Sequence, residues 1–283
     1  MGTGNNKLFI GISYRVIAVI ISFACFTNGA NAQSSSNAPS DLFKVAFSAY
    51  QMGNYDLAIK NYNLAISIDP SRSYFYYNRG LAYKATNNTA MAVKDFRQSL
   101  DLKQTAEAYY QIGSIYYQKG ELENAKLEFE NAKLIREDVE NMNFYLGMIY
   151  FRNNRFEEAS KCFYDFTAHV KNNADAYYYR GLSEAKVGKY SEAIASFKFA
   201  MMYKNNDWKV FYKMYEIYLA LNDKDNALYS ISMVIEMGEK KPEHYEERAR
   251  LYLDTGNTFK YEEDLQTAKE IKAAQALAGK SGS

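Results

Sequence analysis

Two distant stretches of the chain are near copies: residues 76–83 read YYNRGLAY and residues 177–184 read YYYRGLSE. The glycine of this phrase recurs at intervals of 33, 34 and 34 residues, at Gly80, Gly113, Gly147 and Gly181. A period near 34 indicates a stack of small similar units, none of which can bury its apolar face alone.

Other positions repeat with the glycine, which we number as slot 0 of each unit. Slot +12 carries alanine and slot +16 carries phenylalanine in four units, at Ala92, Ala125, Ala159 and Ala193 and at Phe96, Phe129, Phe163 and Phe197. Slot +3 carries tyrosine at Tyr83, Tyr116 and Tyr150, but Glu184 breaks that run. Ala46 extends the frame upstream, and Tyr215 and Ala249 extend it downstream, which makes seven units.

The content of each unit predicts a pair of helices. Two apolar stripes with helical spacing flank a turn such as MGNY (52–55) or QKGE (118–121). Small residues at slots 0 and +12 let the two helices approach closely, and the ring at slot +16 fills the remaining space. Proline, which interrupts helices, occurs only three times in the chain.

The pattern resembles tetratricopeptide repeats, most clearly in GNYDLAIKNYNLAISIDP (53–70), GSIYYQKGELENAKLEFENA (113–132) and GKYSEAIASFKFA (188–200). The resemblance implies an all-α fold, a right-handed superhelical solenoid of antiparallel helix pairs. It also implies that the first helix of each repeat lines a concave groove. The expected repeats are residues 39–72, 73–105, 106–139, 140–173, 174–207, 208–241 and 242–275, followed by a flexible tail at 276–283.

The first 32 residues are of a different kind. Two basic residues precede an apolar run, VIAVIISFACF (16–26), and a stretch of small residues, NGANAQ (28–33). A mainly apolar run of eleven residues is too short to cross a bilayer, which needs about 20. We predict a signal peptide (1–32), a flexible leader (33–38), export and no stable membrane insertion after cleavage. The destination would be the periplasm in a Gram-negative host; an uncleaved membrane anchor is the alternative.

The charge balance and the reactive residues of the chain limit the classes of function that the sequence supports. The 34 Lys and Arg residues balance 33 Asp and Glu residues, so nothing favours a nucleic-acid partner. Signal cleavage would leave Cys162 as the only cysteine, which suits a buried structural thiol. Only His169 and His244 could add imidazole ligands, and no catalytic or metal-binding motif occurs. We therefore expect no enzymatic activity, no metal and no cofactor.

Three arginines occupy slot −1. Arg79 has Asp95 in slot +15 of its repeat, and Arg248 has Asp264 in slot +15 of the last repeat. We expect an ion pair between the two helices in each of these two repeats. Arg180 has Ser196 there instead, and is therefore expected to be the arginine most free for another role.

A second face of the first helix is rich in aromatic residues. At about 100° per residue, slots −4, −1, 0 and +3 form the packed face, and slots −3, +1 and +4 lie about 110° away. By resemblance, those slots face the groove. The candidate binding residues are Phe43, Phe47, Tyr50, Tyr77, Tyr110, Tyr117, Phe144, Phe151, Tyr178 and Tyr212, with the cations Lys84, Arg152 and Lys186.

Two interpretations of these rings stay open: neighbouring helices bury most of them, or they form a strip that grips a segment of a protein partner. The favoured function is an exported scaffold or adaptor that binds a protein or peptide segment, in a cell-envelope assembly. The alternative is a glycan- or peptidoglycan-binding module that uses the rings as stacking platforms. The first repeat, with Phe43, Phe47 and Tyr50, is also a candidate surface for self-association.

Overall fold

The structure is a computed structural model that describes residues 38–136, 141–203 and 207–281, with side chains up to residue 278. The predicted signal peptide and all but the last residue of the leader lie outside these ranges. Within them every regular element is a helix, which confirms the all-α class. The helices are α1 (Pro39–Gln51), α2 (Tyr55–Ile68), α3 (Ser73–Ala85), α4 (Thr89–Leu102), α5 (Ala106–Gln118), α6 (Leu122–Ile135), α7 (Met142–Arg152), α8 (Phe156–His169), α9 (Ala174–Lys186), α10 (Tyr190–Tyr203), α11 (Trp208–Ala220), α12 (Lys224–Glu236), α13 (Pro242–Asp254) and α14 (Thr258–Ser281).

Each predicted repeat range contains one helix pair, from α1–α2 to α13–α14. The two helices of a pair pack against each other, and the second then packs against the first helix of the next pair. First helices also contact each other directly at α1–α3, α7–α9 and α9–α11. Second helices make no comparable contact with one another in the described residues. First helices are therefore closer together, which places them on the inner side of the curve.

Glycine at slot 0 is required by the ring at slot +16 of the same repeat. A Cβ built on Gly80, Gly113, Gly147 or Gly181 would lie 2.8 Å from a ring carbon of that phenylalanine. The four rings are completely buried, so they have little room to retreat.

The remaining repeats fill these two slots differently. Repeat 1 uses Ala46 with Tyr62, and repeat 6 uses Tyr215 with Ile231. At slot 0 of repeat 6, tyrosine takes the place of glycine. Its side chain is only 5% exposed and lies in one apolar cluster with Val210 and Ile231, so the smaller residue at slot +16 makes room for it.

The turn between the two helices of a repeat always contains one left-handed residue, at slot +7. It is glycine in four repeats and asparagine in three: Gly53, Gly120, Gly188 and Gly256, and Asn87, Asn154 and Asn222. These two residue types tolerate positive φ best, so the turn is encoded locally in every repeat.

Each end of the stack carries a charged residue where the adjacent repeat is apolar. Slot −5 holds buried Phe75 in repeat 2 but Asp41 in repeat 1. Slot +20 holds buried Ile235 in repeat 6 but exposed Lys269 in repeat 7. These residues form polar caps on the first and last repeats.

Helix α14 continues to Ser281, past the predicted end of the seventh repeat. The segment AAQALAG (273–279) is rich in alanine and leucine, which favour helix even without tertiary contacts. Of the helices in the described part of the chain, none is long and apolar enough to span a membrane.

Candidate functional site

Two of the slot −1 arginines form the expected ion pairs. Arg79 Nε and Nη2 donate to the two carboxylate oxygens of Asp95, both at 2.7 Å. Its Nη1 also donates to Asn63 Oδ1 of the preceding repeat at 2.7 Å. Arg248 binds Asp264 in the same bidentate way, at 2.8 and 2.7 Å. Both predictions are confirmed, and these arginines are occupied in joining helices.

The prediction for Arg180 is wrong, because this arginine is not free. Its Nε donates to Glu184 Oε1 at 2.7 Å, and Ser196 Oγ donates to the other oxygen of Glu184 at 2.6 Å. The guanidinium also lies 4.7 Å from the centroid of the Tyr164 ring of the preceding repeat. Glu184 thus supplies from slot +3 the carboxylate that slot +15 lacks. The signal in the sequence was that both departures from the pattern, Glu184 and Ser196, fall in the same repeat.

Other slot +15 side chains are also structural. Glu128 is almost completely buried and accepts hydrogen bonds from Arg97 of the preceding repeat, with Nη1 to Oε2 at 3.2 Å. Cys162 is buried in the same slot of repeat 4, and burial raises the pKa of its thiol to about 11. At neutral pH this thiol is therefore protonated and a poor nucleophile.

The six rings at slot −3 are all partly buried and repeat one arrangement. Each packs on the ring of slot +16 in its own repeat, with centroids 5.6–5.9 Å apart, except that Tyr212 packs on Tyr215 at 5.7 Å. One side of each ring therefore belongs to the core, while part of its surface stays uncovered. The set is Phe43, Tyr77, Tyr110, Phe144, Tyr178 and Tyr212.

The remaining candidate residues divide into clusters. Phe47 is 43% exposed and stacks on Phe43 at 6.1 Å. The guanidinium of Arg152 lies 5.5 Å from the centroid of the Tyr117 ring, so these two predicted residues meet. Tyr50 packs on Tyr55 in the turn of its own repeat, at 5.5 Å. Lys186 is exposed in the last turn of α9, and Phe151 contacts Tyr179 at 5.3 Å.

Slot −2 was not among the predicted groove positions, but its side chain reaches back to the preceding repeat. Tyr145 lies 4.9 Å from Tyr117 and 6.3 Å from Tyr110. Tyr179 stacks on Phe163 at 6.0 Å. At about 100° per residue, slot −2 lies about 150° from the centre of the packed face and about 90° from the centre of the groove face, so helical geometry alone assigned it to neither. The consecutive tyrosines at slots −3 and −2 in YYYRGLSE were the available signal.

Lys84 is bound between the first helices of repeats 2 and 3. Its Nζ donates to Gln111 Oε1 and to Ser114 Oγ, both at 2.7 Å. Neither acceptor is charged, and burial lowers the pKa of the ammonium group to about 8. The lysine is therefore still mainly protonated at pH 7, with no carboxylate in contact among the described residues.

Glu247 occupies slot −2 at the opposite end of the groove. Its Oε1 accepts a hydrogen bond from Tyr212 Oη at 3.1 Å, and its Oε2 is buried without a partner in the described residues. Burial raises the pKa of this carboxyl group. Burial and Glu247 together raise the pKa of Tyr212 to about 12. His244 covers one side of Tyr212, with ring centroids 5.3 Å apart, and its Nδ1 lies 2.8 Å from the carbonyl oxygen of Glu239.

Across the described ranges, no group of three or more His, Cys, Asp or Glu side chains is arranged to hold a metal ion.

Family models for the tetratricopeptide repeat (TPR) match the chain at residues 48–87, at 73–105 and 106–139, and at 144–200. A TPR repeat-containing protein of Methanocaldococcus jannaschii is 30% identical over 77 residues, which is 27% of this chain. The match spans 14% of the length of that relative.

Solved structures show the same fold at low identity. YrrB, a TPR protein with an unusual peptide-binding site, aligns with a TM-score of 0.59 and 20% identity over 63% of this chain and 93% of its own. The C-terminal part of a TPR repeat-containing protein from Cytophaga hutchinsonii aligns with a TM-score of 0.58 and 18% identity, over 80% of this chain and 93% of its own. Helix pairs, repeat spacing and family models agree: the chain is an all-helical solenoid that contains tetratricopeptide repeats.

Proposed function

We propose that this protein is an exported, non-enzymatic scaffold that binds a protein or peptide segment along the inner side of its first helices, within a cell-envelope assembly. The observation that carries the proposal is the slot −3 row. Six successive repeats present an aromatic side chain that the neighbouring helices cover only in part.

This row is larger than the fold requires, since slot +16 already supplies a fully buried side chain to most repeats. Partly exposed aromatic residues bind well because they offer a large apolar area and lose little rotamer entropy. An extended or helical segment could therefore contact several rings in succession.

The neighbours of the rings favour a protein over a glycan. Sugar-stacking platforms need polar side chains beside the ring, whereas slot +1 carries Leu81, Met148 and Leu182 in three inner repeats. YrrB has a peptide-binding site on the same fold, which makes a peptide the first ligand class to test.

Affinity capture from the native envelope tests the proposal. In one variant Tyr77, Tyr110, Tyr178 and Tyr212 are replaced by alanine. Because these rings also touch the core, a second variant replaces only the more accessible Phe47 and Arg152 by alanine. The control replaces Tyr164 and Tyr229 on second helices, each 58% exposed, by alanine.

We expect both groove variants to lose the captured partner while the control retains it, with folding checked by thermal unfolding. Equal recovery by a folded groove variant would show that the partner binds elsewhere. Mass spectrometry of the native protein tests export, for which a mature chain beginning at Gln33 is expected.

Self-association through the first repeat is a separate part of the proposal. Val45 and Phe47 of α1 are 51% and 43% exposed. Sedimentation of the mature chain should then show a dimer that Phe47→Asp dissociates; a monomer at all concentrations would rule this surface out.

A further inference from the structure

Two charged groups on the inner surface form no ion pair with another described residue. Lys84 is held between α3 and α5 by two neutral oxygens, and its third ammonium proton has no acceptor among the described side chains. A partly buried ammonium group normally has a carboxylate partner, because desolvation without pairing is costly.

Glu247 presents the opposite case on α13. Tyr212 occupies one carboxylate oxygen, and the other has no donor within the described part of the chain. Neighbouring Glu246 differs, because Lys272 of α14 pairs with it at 2.5 Å. Buried polar atoms are rarely left unpaired in native proteins, so an unpaired oxygen beside a binding surface indicates a donor that arrives with a ligand.

Between these two groups the inner surface is mainly aromatic. Tyr145 and Tyr179 fill slot −2 of repeats 4 and 5 and extend the slot −3 row sideways. The surface therefore changes from cationic at Lys84, through aromatic rings with the cations Arg152 and Lys186 among them, to anionic at Glu247.

We infer that the segment bound in this groove is bipolar: an acidic side chain contacts Lys84, apolar or aromatic side chains cover the central rings, and a basic side chain contacts Glu247. This inference rests on the proposed binding function. It gives the partner a fixed direction, because reversing the segment would bring like charges together at both ends.

The test selects binders from a phage-displayed random-peptide library on the mature chain. Selected peptides are synthesised and titrated by fluorescence anisotropy. The variants are Lys84→Glu and Glu247→Lys, and the matched controls are Lys198→Glu and Glu192→Lys, which make the same charge changes at exposed positions of α10. Lys84→Met serves if Lys84→Glu fails to fold.

We expect selected peptides to carry Asp or Glu toward one end and Lys or Arg toward the other. Lys84→Glu or Glu247→Lys should weaken their binding by about tenfold or more, as for loss of a charge-assisted hydrogen bond. Reselection on Lys84→Glu should replace the acidic residue by a basic one, and the α10 controls should bind as the unmodified chain does.

Two negative results are distinguishable. If the selected peptides are apolar without a charge pattern and Lys84→Glu leaves their affinity unchanged, the bipolar inference is wrong and the binding function stands. If no peptide is selected, or if binding survives Phe47→Ala with Arg152→Ala, the groove function itself fails.

Discussion

Single residues in this solenoid are best understood by the slot they occupy. Slots 0 and +16 were predictable from the sequence because glycine and phenylalanine recur together. In repeat 6 these two slots hold Tyr215 and Ile231 instead, which the sequence shows only as a departure from the pattern. The sequence does not show which residues make room for the Tyr215 ring, because that depends on the packing of neighbouring repeats.

In repeat 5 the partner of a partly buried charge likewise depends on more than one slot. A prediction follows from this. Replacing Glu184 by tyrosine restores the usual slot +3 residue but leaves Arg180 without its carboxylate. The free energy of unfolding should fall by about 3 kcal/mol, as when a buried ion pair loses one partner. Adding Ser196→Asp should recover most of the loss, because Arg180 would then face the same slot +15 carboxylate as Arg79 does.

Urea unfolding of the two single variants and the double variant measures this coupling. Ser196→Asp alone places a second carboxylate beside Glu184 and should also destabilise the chain. A double variant no more stable than Glu184→Tyr would show that the two slots are not interchangeable.

At the level of helices, their number and order followed from periodicity, whereas contacts between first helices of successive repeats did not. A single repeat contains no information about how far it turns relative to the next. For that reason slot −2 was overlooked, although Gln111, Tyr145, Tyr179 and Glu247 each contact the first helix of the preceding repeat.

The contact between α3 and α5 predicts a dependence on pH. The pKa of Lys84 is lowered to about 8 from 10.5. Between these values the unfolded chain holds more protons than the folded chain at this residue, so its contribution to stability increases with pH. From pH 7 to pH 10, the unfolding free energy of the natural chain should therefore rise relative to that of Lys84→Met. A difference that is constant across this range would mean that the ammonium group is fully solvated.

For the whole molecule, the caps at the two ends give a further prediction. Ending the chain after residue 241 removes α13 and α14 and exposes Ile235, which packs with Tyr245 and Ala268 of repeat 7. We expect a lower melting temperature and concentration-dependent aggregation, because the new end is apolar. Adding Ile235→Lys, which copies Lys269 at the same slot, should reduce the aggregation. Thermal unfolding and light scattering distinguish the cases, and a truncated chain as stable and monodisperse as the natural one would contradict the capping role.

The polar caps also set a limit on size. Since Asp41 and Lys269 stand where a further repeat would pack, adding a repeat at either end would bury a charge, so the chain fixes the number of repeats. The row of six rings at slot −3 therefore has a fixed length. A bound segment longer than this row must extend beyond one end of it, where other molecules could reach it.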